Sequence, residues 1–358
     1  MNKLLTTASM LFCLGFNVVS QELISIAPKP EHIYIEQGDH KQFLNFDFVV
    51  TNASTDTLRL SKVSVSVYDK TNHLIHSRFL DNNGTAPSIQ TIPNREFIGL
   101  ETKLIFNPFT EFNLAIPLSK MEFEWIFSNN REEEFIAKTV IYPQKFEQKE
   151  KYAFPLKGKI LVYDGHDFYA HHRRFDYEFA PIKQLGICAN FMRYAYDFVM
   201  LDSAYNQFKG SSAKADNYFG FGKTVYAIAD GIVLYASNKH KDDKTFDIPE
   251  ISNNPLELYG NCIAIEHKNG AISIYGHLKQ NSLKIKVGDN VKVKQEIASI
   301  GVSGSSFFPH LHFEMRTSIK NSAEGFPSYF SNIFLVEGNS NSKLKSGLVE
   351  TGDIIETK

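Results

Sequence analysis

Pro309-His310-Leu311-His312-Phe313-Glu314 is the stretch whose reading decides this chain. Its apolar and polar residues alternate, which is the period of a strand. His310 and His312 therefore share one face while Leu311 and Phe313 take the other. Two imidazoles aimed into one space suit a metal site or a proton-transfer pair. Taken alone, an H-x-H is as readily a strand whose histidines hydrogen-bond at the surface, so the surrounding residues have to decide.

Upstream, Asp197 sits in Arg193-Tyr194-Ala195-Tyr196-Asp197-Phe198-Val199-Met200. Tyr194, Tyr196, Phe198 and Met200 fall on one face of a strand, and Ala195, Asp197 and Val199 on the other. A carboxylate between Ala and Val needs a cation or several hydrogen bonds; Arg193 is one source and a metal another. His277 ends the run Ile272-Ser273-Ile274-Tyr275-Gly276-His277-Leu278, and His171-His172-Arg173-Arg174 forms a basic patch that by itself reads as solvated surface.

Short alternating runs such as Phe43-Leu44-Asn45-Phe46-Asp47-Phe48-Val49-Val50 recur between residues 21 and 148, separated by clusters of Asn, Asp, Gly, Ser and Thr. They predict an antiparallel β-sandwich of immunoglobulin-like size. The charged stretch Glu147-Gln148-Lys149-Glu150-Lys151 reads as a boundary. Beyond it the chain stays β-rich, with turn dipeptides Asp230-Gly231 and Asn269-Gly270 suited to tight hairpins. Polar insertions at 202–214 and 238–254 read as long loops. The expected fold class is mainly β. Its parts are a signal segment over 1–20, a sandwich over 21–150, a second antiparallel β domain over 151–336 and a tail over 337–358 in which residues 347–350 could add a short strand.

A net charge of -2 makes electrostatic nucleic-acid binding a poor default. Met1-Asn2-Lys3, the apolar run to Val19 and the small residues before Gln21 have the pattern of a secretory signal. No later run is apolar for long enough to cross a membrane. The expected location is extracytoplasmic, in the periplasm, cell envelope or secreted. Cys188 and Cys262 are there either a bridge or two buried thiols.

The C-terminal half resembles the lysostaphin/LytM-type zinc metalloendopeptidases, over roughly residues 152–335. The resemblance rests on Gly222 through Val233, on Tyr259-Gly260-Asn261 with Ile263-Ala264-Ile265, on Tyr275-Gly276-His277-Leu278, on Val287-Gly288-Asp289-Asn290-Val291, and on Gly301 through Glu314. It implies that His312 and Asp197 bind one Zn(2+), with His277 and His310 flanking a zinc-activated water. It also implies a peptidoglycan peptide substrate, cut in the stem peptides or cross-bridges, and groove walls built by the two polar insertions.

Two positions depart from the family's pattern. Where a histidine ligand is usual the chain has Arg193, which cannot bind zinc while protonated. A branch of the family is similar to this chain in carrying a His-His-Arg segment upstream, which moves the third ligand to His171 or His172, with His172 favoured. Lys294 stands where glycine is usual, so the turn there is expected to be strained or altered. Against the enzyme stands a second reading, a catalytically inactive envelope-binding protein or regulator of another cell-wall hydrolase.

Overall fold

A computed structural model describes residues 23–338 and 340–357. The expected signal segment, residues 1–20, lies outside the described residues. The chain is mainly β, and its large sheets are antiparallel.

The N-terminal half is built on β1 (Ile24–Lys29), β2 (Asp47–Asn52), β3 (Leu58–Tyr68), β4 (Leu74–Asp81), β5 (Thr102–Phe106), β6 (Lys120–Ser128) and β7 (Glu134–Ile141). One sheet runs β1-β2-β5 and the other β7-β6-β3-β4, with Glu96–Phe97 added against β3. Alternation explains the packing. Val63, Val65 and Val67 of β3 and Met121, Phe123, Trp125 and Phe127 of β6 point into one core, and Phe48 of β2 meets Trp125 and Phe123 edge-on at 4.8 and 4.9 Å.

The C-terminal half is organised by one ten-stranded sheet. Its strands are β8 (Gly158–Asp164), β9 (Tyr196–Met200), β10 (Gly231–Ala236), β11 (Ile263–His267), β12 (Ile272–Gly276), β13 (Asn290–Val291), β14 (Leu311–Arg316), β15 (Phe334–Glu337), β16 (Ser340–Lys343) and β17 (Ile354–Thr357). They lie in the order β13-β10-β11-β12-β14-β9-β8-β17-β15-β16. Ile160, Val162, Phe198, Leu311 and Phe313 cover one face. On the other face Tyr259, Phe191 and Ile274 belong to a second cluster that also takes in Leu104, Val49 and Phe106 from the N-terminal sheet.

Several expectations change here. Residues 337–358 are not an appended tail: β17 sits between β8 and β15, and Leu348, Val349 and Ile355 are buried. Asn269-Gly270 does turn β11 into β12, with Gly270 at φ 81°. By contrast, Asp230-Gly231 joins two different sheets, because Thr224–Tyr226 pairs with Glu296–Ser299 rather than with β10. Lys294 holds a φ of 64°, the left-handed conformation that glycine would take without strain. Cys188 is exposed and Cys262 buried, and both are free thiols, so no bridge joins them.

The C-terminal segment is also tied back to the N-terminal half. Asp39 accepts the backbone N–H groups of Lys345 at 3.0 Å and Ser346 at 2.6 Å. Partial burial pushes the Asp39 carboxyl up, but these donors outweigh it and hold it below the usual carboxylate range. A carboxyl with a depressed folded pKa stabilises above its unfolded value and loses that contribution as pH falls through the folded value. Asp39→Ala is therefore expected to lower stability by a constant amount in urea unfolding above about pH 4. The difference should narrow only below that pH; a difference that grows on acidification would contradict the assignment.

Candidate metal centre

Strand register builds the site. β14 lies between β9 and β12, so His312 stands opposite Asp197 on one side and Gly276 on the other. Asp197 in turn stands opposite Asp164 at the end of β8. Paired residues project to the same face, which puts two carboxylates and an imidazole in one row. Gly276 keeps the row open, because a Cβ there would meet Tyr259 Cβ at 3.0 Å and His312 Cβ at 3.2 Å. His277 comes next at φ 56°, a conformation uncommon for a non-glycine residue and typical of functional sites.

His172 comes from the irregular segment after β8. Its backbone N–H and that of His171 donate to Asp164 at 3.4 and 3.3 Å. His172 Nδ1 lies 2.9 Å from Asp164 Oδ2, and its Nε2 lies 3.6 Å from Asp197 Oδ1. His312 Nδ1 is 3.2 Å from the same Asp197 oxygen. Ligands at roughly 2.0–2.2 Å from a tetrahedral zinc stand about 3.4 Å apart; both separations from Asp197 Oδ1 lie near that, and the three donor atoms fall within 4.8 Å of one another. His171 groups instead with Asp164 and His172, a second set of possible metal donors. Its side chain is 64% exposed and meets Asp164 from the outer side, with Nδ1 2.9 Å from Oδ2.

His310 and His277 complete the constellation. His310 Nδ1 donates to the Phe308 carbonyl at 2.7 Å, and His277 Nδ1 to the Ser303 carbonyl at 2.8 Å. A carbonyl only accepts, so each ring carries a proton on Nδ1 and turns Nε2 to the site. His310 Nε2 is 3.2 Å from Asp197 Oδ1, and the two ring centroids are 4.9 Å apart. The histidines open on a cavity of about 550 Å³ whose walls include Tyr163, Phe175, Leu258, Phe307 and Phe308. The insertions 202–214 and 238–254, expected as groove walls, contribute no lining residue among those described. The first reaches the wall only indirectly, through Phe208 against Tyr218 and Tyr218 stacked on Phe308.

The electrostatics favour a cation. Burial pushes the Asp197 carboxyl up, but His310 and His172 outweigh it and hold it well below the usual range. Asp164 is likewise driven up by burial and brought well below by His171 and His172. Burial lowers His172, and burial together with His310 and His312 holds His277 well below the ordinary imidazole value. His312 is lowered by burial yet carried up to about 9 by Asp197 and Glu314.

Three contributors were not singled out from the sequence. Asp164 is hidden by a bulge between Val162 and Asp164 that turns it to the site face. Glu314 shares strand parity with His310 and His312, a readable signal, and its Oε1 lies 3.7 Å from His312 Nε2. Tyr259 stacks on His312 with centroids 4.5 Å apart, while its hydroxyl accepts from Arg316 Nη2 at 2.6 Å and Arg316 Nε donates to Glu314 at 2.7 Å.

A family model, peptidase family M23, matches residues 215–324, the span that holds His277, His310 and His312. Lipoprotein NlpD of Yersinia enterocolitica is 33% identical over 95 residues, 26% of this chain and 78% of that protein. The chain belongs to peptidase family M23. Other M23 relatives are longer. Cell division protein DipM of Caulobacter vibrioides is 30% identical over 95 residues, 26% of this chain but only 13% of its own length. Murein hydrolase activator NlpD of Escherichia coli is 34% identical over 95 residues, 26% of this chain and 20% of its own length. Among solved structures, the lysostaphin catalytic domain from Staphylococcus simulans is 27% identical, covering 37% of this chain and 74% of that one at a TM-score of 0.25.

The Tyr259–Arg316 contact behind this M23 site is fully buried. Tyr259→Phe removes one acceptor from a charged donor and is expected to cost about 1.5–3 kcal/mol. Chemical denaturation checks this, and a neutral result would show that the hydroxyl is not needed.

Proposed function

We propose that this chain is a zinc metalloendopeptidase that hydrolyses peptide bonds of peptidoglycan stem peptides or cross-bridges outside the cytoplasm. One observation carries the reading: His172 Nε2 and His312 Nδ1 stand 3.6 and 3.2 Å from Asp197 Oδ1, beside two histidines whose Nδ1 atoms are held by backbone carbonyls. His172, Asp197 and His312 would hold the ion, with Asp164 and Glu314 orienting the two imidazoles. When bound, zinc supplies Lewis-acid polarisation of the scissile carbonyl and activation of a water. Of His277 and His310, one takes the proton of the attacking water. The other, carrying a proton on Nε2 as well, stabilises the developing oxyanion or protonates the leaving amine.

The substrate class is drawn from the family resemblance and from relatives named as murein hydrolase activators. Extracytoplasmic location is supported by a relative named as a lipoprotein, and no helix among the described residues is long and apolar enough to cross a membrane. We read the N-terminal half as an immunoglobulin-like accessory domain, a reading that the sheet order β1-β2-β5 against β7-β6-β3-β4 supports. A second reading is favoured by the same names: NlpD and EnvC of Escherichia coli are murein hydrolase activators, so this chain could regulate a hydrolase instead of being one.

Metal analysis and peptidoglycan digestion test both. The purified chain is expected to hold close to one zinc, to lose it in His172→Ala and His312→Ala, and to keep it in His171→Ala. His310→Ala should retain zinc while turnover falls by about 10²–10⁴-fold. Zinc loading without any peptidoglycan cleavage, joined to stimulation of a separate hydrolase, would favour the regulator. A chain that binds no zinc sinks the enzyme reading.

A further inference from the structure

We infer that Asp47 of the N-terminal sheet is a positioning residue for the metal site, holding the segment that presents His172. The inference rests on the zinc reading above. Asp197 and His312 sit on strands, and sheet register fixes them. His172 has no such support, since it lies in an irregular turn between β8 and β9. The next residue in the chain is Arg173, a fully buried guanidinium whose three nitrogens are all spent on the N-terminal half. Its Nη1 donates to Asp47 Oδ1 at 2.5 Å, its Nε to Asn45 Oδ1 at 2.7 Å and its Nη2 to the Phe46 carbonyl at 2.6 Å.

The other Asp47 oxygen accepts from Nη1 of Arg193, also fully buried and four residues before Asp197. One carboxylate thus grips both the His172 segment and the approach to β9. Asn190 closes the arrangement from the opposite side, its amide donating to the His172 and Arg173 carbonyls at 3.1 and 3.2 Å. A planar fork bound at three points leaves its neighbour little freedom, so the imbalance between a strand-held pair and a loop-held third ligand is corrected from the N-terminal half. Arg193, where the resemblance expects a ligand, serves that correction instead.

The test uses the full chain, with zinc affinity measured by chelator competition and the ligand-field spectrum recorded after cobalt substitution. Asp47→Asn keeps the side-chain size but removes the charge, and is expected to weaken zinc binding by roughly 10–100-fold and to alter the cobalt spectrum. Arg173→Lys keeps the charge but cannot reach all three acceptors, and should do the same; it decides alone if Asp47→Asn fails to fold. Gln148→Ala is the control. It loses contacts of 2.8 and 2.7 Å to the Tyr329 backbone elsewhere on the junction, and should leave zinc affinity and spectrum unchanged. Wild-type affinity and spectrum in both Asp47→Asn and Arg173→Lys overturn the inference, as does an equal loss in Gln148→Ala. Absence of zinc from the wild-type chain would instead overturn the metal reading beneath it.

Discussion

The pairing of β14 with β9 on one side and β12 on the other is the constraint on which the site depends. It sets Asp164, Asp197, His312 and Gly276 in one row. Nothing polar needs to enforce that register. Leu311 and Phe313, with Phe198 across from Leu311, are fully buried on the opposite face. A slip of one residue would exchange the faces, driving imidazoles into the core and these side chains out of it. Burial of each such side chain is worth about 1.5–3 kcal/mol, so the slipped pairing is far less stable. The geometry of the polar face is set by the apolar one.

That polar face is costly in a different way. Asp164, Asp197 and Glu314 are three carboxylates taken largely out of water around the same imidazoles. Buried carboxylates persist only with compensating charge or donors. The rise of His312 to about 9 expresses this, since a proton there answers Asp197 and Glu314 together. A divalent ion would answer them better, and its binding would release that proton. The Nδ1 atoms of the two remaining histidines are held by backbone carbonyls, so both rings turn Nε2 towards the site.

Much of this was legible in the sequence, and the parts that were not have particular causes. The alternation around Leu311 and Phe313 places His310 and His312 on one face, and the same rule places Asp197 opposite Phe198. The choice between His171 and His172 is not periodic, because neither lies in a strand; both meet Asp164, and His172 also reaches Asp197. Asp164 has the parity of Val162 until the bulge reverses it, and a bulge leaves no mark in composition. β17 was hidden because Ile354-Ile355 is short and does not alternate. In Phe46-Asp47-Phe48 the aspartate reads as the solvent side of a strand, and it would be so if the C-terminal half did not pack against that face.

Asp47 also bears on how Arg193 should be understood. A guanidinium that had merely replaced a lost ligand would be expected to turn towards solvent, or to sit beside whatever carboxylate lay near. Arg193 is instead fully enclosed, pairs with a carboxylate from the other half of the chain, and faces Glu324 at 3.7 Å with its second Nη. Removing one member of such a buried set leaves an uncompensated charge, at about 3–5 kcal/mol. That is a large share of the roughly 5–15 kcal/mol that stabilises an ordinary domain. The two halves are therefore held as one unit at this point, and the residue that breaks the family's pattern is part of what holds them. A single carboxylate, Asp47, thus binds both the Arg193 guanidinium and the segment that carries His172.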